Sequence, residues 1–223
     1  MDVAEKTGHK EVAALYEAAA AAVWNGLFGN TSEARRLASA ALQRSKGRDV
    51  QYAAALALAL AGDTAQSQTL AADLDTRYPE DTSVRTNYLP ALHALAALGA
   101  GQPLPAIDQL QVARPYEVAD PPINFNAYFG CFYPLFLRGQ AYLAANRGAE
   151  AAAEFQRILE HRGLLLGHPL GAAARVWLGR ALALSGDAAK SKAAYEDFLA
   201  LWKDADSDIP ILKQAQAEYA KLQ

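Results

Sequence analysis

Along this chain, apolar residues return every three to four positions in stretches of about a dozen residues, the spacing of amphipathic helices and not of strands. Polar clusters, glycine and proline separate the stretches. The pattern predicts helix pairs at 10 to 28 and 31 to 46, 48 to 61 and 64 to 77, 81 to 98 and 103 to 115, 125 to 146 and 149 to 162, and 169 to 185 and 188 to 203. A final helix is expected within 208 to 222, where Asp208 and Pro210 offer a start signal. The abundance of alanine and leucine over β-branched residues agrees with an all-α fold.

The turn inside each pair carries a common mark, at Gly29, Gly62, Gly101, Asn146 and Gly186, each followed five residues later by a small residue: Ala34, Ser67, Ala106, Ala151 and Ser191. Glycine and asparagine suit the left-handed conformation that ends a helix, and Asp63 and Asp187 are placed to cap the next one. Successive marks are 33, 39, 45 and 40 residues apart. The 45- and 40-residue spacings contain inserts, one including Pro115 to Pro122 and the other Gly163 to Pro169, read as loops lengthened between hairpins. Two pairs share a finer register, because Gly139 precedes Phe155, and Gly179 precedes Tyr195, by sixteen residues. A small residue on one helix beneath a large ring on the next is how layers interdigitate.

The run Leu135-x-x-Arg138-Gly139-x-x-Tyr142 with Ala151-x-x-x-Phe155, and the copy Leu178-Gly179-x-x-Leu182 with Ser191-x-x-x-Tyr195, resemble the tetratricopeptide repeat. Leu135 and Arg138 depart from its first two positions. The resemblance implies a right-handed α-α superhelix of about five hairpins across residues 1–223, closed by a capping helix, that binds a protein or peptide in a concave groove. The stretches at 88–92, 113–117, 152–163 and 195–206 are similar to the C-terminal repeat region of bacterial multidomain serine/threonine kinases, and to repeats attached to some bacterial winged-helix regulators. That likeness implies a piece of a longer signalling protein. Of kinase chemistry the chain has only the near miss His161-Arg162-Gly163, which lacks the catalytic aspartate.

In tetratricopeptide proteins the groove is lined from the first helix of each pair, and the register transfers this role to Tyr16, Tyr52, Tyr88, Tyr133, Phe136, Gln140, Val176 and Arg180, with His93 on the same side. These rings either stack on a bound peptide or pack between helices, and sequence leaves both open. The set is rich in tyrosine and poor in positive charge, which disfavours a clamp for a terminal carboxylate. Asn87, Asn124 and Asn126 flank the same helices as ligand-holding or capping residues.

Charge and candidate chemistry narrow the function classes. A net charge of −3 provides no field for a phosphate backbone, so nucleic acid is not expected as a partner. The single Cys131, set among aromatics, reads as a small buried hydrophobe, and His161 with His168 lacks a third metal ligand at suitable spacing. The 24 acidic residues mostly lie in turns or beside Lys and Arg. The expectation is a non-catalytic module without cofactor or metal, with a protein or peptide partner and no membrane insertion. It would be soluble, cytoplasmic by default, or extracytoplasmic if part of a membrane-spanning kinase. The alternative is an architectural domain that spaces or dimerises an attached domain, as a homodimer.

Overall fold

A computed structural model describes residues 8–118, 132–165 and 168–223, and every regular element among them is helical. The first pair joins α1, which runs through Lys10–Leu15, a π-helical Tyr16–Val23 and Trp24–Phe28, to α2 (Thr31–Arg44). The second pairs α3 (Arg48–Leu60) with α4 (Thr64–Arg77). In the third, α5 occupies 82 to 99 and α6 continues from Pro103–Gln109 into a 3₁₀ segment, Leu110–Tyr116. The fourth is α7 (Phe132–Ala144) with α8 (Gly148–Glu160), followed by the short turn α9 (Arg162–Leu165). The fifth is α10 (Leu170–Leu184) with α11 (Ala188–Leu201), and α12 (Pro210–Ala220) packs on α11. The expected start of the fourth pair, at 125, falls outside the described residues, as do Cys131, Asn124 and Asn126.

The five turns are built alike. Gly29, Gly62, Gly101, Asn146 and Gly186 have φ of 90°, 82°, 69°, 59° and 85°, and Asn146 is the sole non-glycine residue with positive φ among the described residues. In each turn the next residue donates its N–H to a carbonyl five positions back, from Asn30 to Asn25, Asp63 to Leu58, Gln102 to Ala97, Arg147 to Tyr142 and Asp187 to Leu182, at 2.8–2.9 Å. This paired arrangement satisfies carbonyls that a helix end leaves orphaned. The small residue five places on is wholly buried in all five copies. Asp63 and Asp187 accept from the N–H groups of Gln66 and Lys190. At the start of α2 the capping position is Asn30, which makes no side-chain cap bond, and Thr31 is the first helical residue.

In α5 the helix widens to π form over Val84–Tyr88, just ahead of Pro90. Proline has no N–H to give to residue 86, and its ring would crowd that carbonyl in a regular α-helix. The wider turn removes the conflict. Asp81 secures the start of the helix by accepting from the N–H of Val84 at 3.0 Å.

The shared ring register takes physical form in the fourth and fifth pairs. A Cβ on Gly139 would lie 2.6 Å from Phe155, and one on Gly179 would lie 2.8 Å from Tyr195, so the glycines are what allow the helices this approach. Arg138, which departs from the repeat pattern, is fully buried with all its donors used. Its Nε and Nη2 donate to Glu154 at 2.8 and 2.7 Å, Nη2 and Nη1 donate to Glu117, and Nη1 reaches the carbonyl of Leu110. Arg157 joins Glu117 at 3.2 Å and Arg114 joins Glu154 at 3.5 Å. The network fastens the 110–117 stretch to α7 and α8.

Candidate functional site

The first helices of the pairs converge, and their expected groove positions do meet one another. They meet too closely to leave a groove. Tyr52 and Tyr88 stack with ring centroids 3.8 Å apart, and the Tyr88 hydroxyl donates to Asp49 at 2.9 Å. Phe136 packs edge-on against both Phe155 and Trp177. Tyr52, Tyr88, Tyr133, Phe136 and Val176 are all buried, and burial raises the pKa of each of the three tyrosine hydroxyls. The assignment of these rings to an open groove is therefore corrected: they are the packed interior.

Two adjoining observations give the cause. From Val50 to Leu58 every residue of α3 is buried, and from Phe132 to Gly139 every residue of α7 is buried, so neither helix has a face left for solvent. Gly26 also lets α1 and α3 come close, since a Cβ there would lie 3.0 Å from that of Leu60.

The remaining expected site residues differ in environment. His93 and Gln140 are half-buried on α5 and α7, and Tyr16 is 42% exposed on α1. Arg180 is committed to the terminal helix, bonded to Glu218 and Gln214, with its guanidinium 4.4 Å from the centre of the Trp177 ring. Glu218 also accepts from the Tyr195 hydroxyl at 2.8 Å, so α12 is held over the last pair by polar contacts and by buried Ile211, Leu212 and Ala215. Asn87 keeps a buried carbonyl oxygen without a hydrogen-bond partner.

Where the stack would be expected to run open, its first and last pairs touch. Trp24 on α1 meets His168 edge-on at 5.9 Å, Phe28 meets Trp202 at 4.8 Å, and Gly29 lies against Pro210. His168 is central to the closure. Its Nδ1 accepts from the N–H of Leu170 at 3.1 Å, which puts the proton of the neutral ring on Nε2, 3.5 Å from the Tyr133 hydroxyl. Burial lowers its pKa to about 4. His161 stands apart, with Nδ1 2.8 Å from the carbonyl of Arg157.

At the closure lies a half-open cavity of about 590 Å³, walled by Trp24, Phe28, Leu165 and Trp202 with Arg162 and Arg175 among its lining. None of these six was anticipated as a site residue. The contact joins residues from opposite ends of the chain, and the periodicity of a single helix says nothing about such a meeting. The closed interior did leave a signal: the run Tyr52-Ala-Ala-Ala-Leu-Ala-Leu-Ala-Leu-Ala61 has no polar face with which to line a water-filled groove. Among the described residues no group of three His, Cys, Asp or Glu side chains is placed to hold a metal, and no helix is long and apolar enough to cross a membrane. Set against known proteins, the chain has no match: no family model fits it, and no curated protein and no solved structure is similar to it.

Proposed function

We propose that the chain is a non-catalytic binding module of tetratricopeptide type that holds a protein or peptide partner on the outside of its helix stack. The observation that carries this reading is the fivefold recurrence of one turn, with its left-handed residue, its backbone bonds and its buried small residue five positions on. Stacked helix pairs of this kind expose extended surfaces whose usual employment is recognition of another chain. The interior is occupied by the protein's own rings, which moves the candidate surface outward. Leu104, Val112 and Tyr116 on α6 are 58%, 49% and 44% exposed, large apolar groups on a single helix. Attachment to a serine/threonine kinase or another bacterial signalling domain, which the sequence resemblance implies, belongs to the same proposal.

The architectural alternative, in which the chain spaces or dimerises an attached domain, would be favoured by self-association through an exposed apolar end. In the structure α12 packs over the last pair, and Phe28 of the first pair touches Trp202 just beyond that pair, which supports placing recognition on the outer surface. The test is capture of partners from cell extract on the immobilised chain, alongside a Leu104→Ser, Val112→Ser, Tyr116→Ser variant with unchanged helical content. A protein retained by the native chain and lost with the variant supports the reading. If nothing is retained beyond the chain itself, and light scattering reports a dimer, the architectural role takes its place.

A further inference from the structure

The cavity at the closure has chemistry of its own, independent of any protein partner. Its walls are the rings of Trp24, Phe28 and Trp202 with the buried side chain of Leu165, surfaces that favour an apolar body. Its cations are Arg162, which is exposed, and Arg175, which is half-buried and spends one donor on the carbonyl of Gly171 at 2.8 Å. Among the described residues neither arginine forms an ion pair, whereas Arg36, Arg44, Arg48, Arg77, Arg114, Arg138, Arg147, Arg157 and Arg180 all do. No described lining residue is acidic. Two guanidinium groups with donors to spare beside an aromatic cavity complement a ligand with one anionic end and one greasy end.

We propose that this cavity binds a small monocarboxylate with an apolar body, such as a medium-chain fatty acid, its chain between Trp24, Phe28 and Trp202 and its carboxylate on Arg162 and Arg175. Because the walls come from both the first and the last helix pair, a bound acid fastens the closure, and ligand raises the melting temperature by mass action.

The experiment titrates the whole chain, by calorimetry below the micellar range, with decanoate, 1-decanol and decyltrimethylammonium. The expected result is one saturable decanoate site per chain, roughly tenfold or more tighter than decanol, since a charge-assisted hydrogen bond is worth at least that factor. The cation binds more weakly than either. An Arg162→Gln, Arg175→Gln variant brings decanoate to the affinity of decanol without lowering the melting temperature of the free protein, because neither side chain has an ionic partner to lose. Leu201→Asp, at the exposed rim, weakens decanoate as well. Equal affinity for acid and alcohol, decanoate binding that survives the double variant, or no saturable binding would each overturn the proposal.

Discussion

Phe28 and Trp202 meet edge to face with ring centroids 4.8 Å apart, although one ends α1, the first of the described helices, and the other follows the last helix pair. Their contact turns a row of helix pairs into a closed body. It also explains why Tyr52, Tyr88 and Tyr133 are buried, since an arrangement that closes on itself has no open inner face to line.

Interior rings carry stability, not recognition. Replacing Tyr88, Tyr133 or Phe136 by alanine removes a ring that is at most 7% exposed, and each should cost about 3 to 5 kcal/mol in urea unfolding. The triple variant should lack a cooperative transition. Unchanged stability would mean that these rings face solvent.

At Gly139 any side chain meets Phe155, and leucine there should cost roughly 1 to 3 kcal/mol or more. Adding Phe155→Ala should recover part of the loss, a non-additivity that a double-mutant cycle measures. Gly186 differs, because a Cβ there meets nothing within 4 Å but would sit at φ 85°. Gly186→Ala should therefore cost about 1 to 2 kcal/mol from backbone conformation alone, and no neighbouring substitution should repair it.

Arg138 neutralises two buried carboxylates. Arg138→Met leaves the buried Glu117 and Glu154 with only the outlying Arg157 and Arg114 and should cost about 3 kcal/mol, whereas the combination with Glu117→Gln and Glu154→Gln should recover much of it. Denaturation midpoints of the two variants decide the matter. Equal losses would mean that the arginine contributes through packing alone.

His168 links stability to pH. Its ordinary value of 6.5 falls to about 4 in the fold, so between those values the unfolded chain binds a proton that the folded chain refuses. Its contribution is whole above pH 6.5 and declines as pH falls towards 4, by up to about 3 kcal/mol. Urea midpoints across that range should fall less steeply for His168→Gln than for the native chain. Parallel slopes would show that another group governs the acid limb.

The five turns were legible from sequence because each rests on local chemistry, a glycine or asparagine at a helix end and a small residue five places later. The same holds for the meeting of Gly139 with Phe155. Arg138 could be seen as a departure from the repeat pattern, but its partner Glu117 lies in an irregular stretch whose course no periodicity specifies. The groove was misplaced because first-helix positions were assigned by resemblance alone. The apolar run from Tyr52 to Ala61 already required burial on all sides. The cavity was beyond reach, since Trp24 and Trp202 come to line one cavity only through the angles at which five helix pairs pack.

Closure is tested most directly by nuclear Overhauser contacts in the native chain, selectively labelled at phenylalanine and tryptophan. A closed body gives a cross-peak between the rings of Phe28 and Trp202, together with one from the Trp24 indole to the His168 ring. An open row of helix pairs would hold these rings several helix widths apart and give neither.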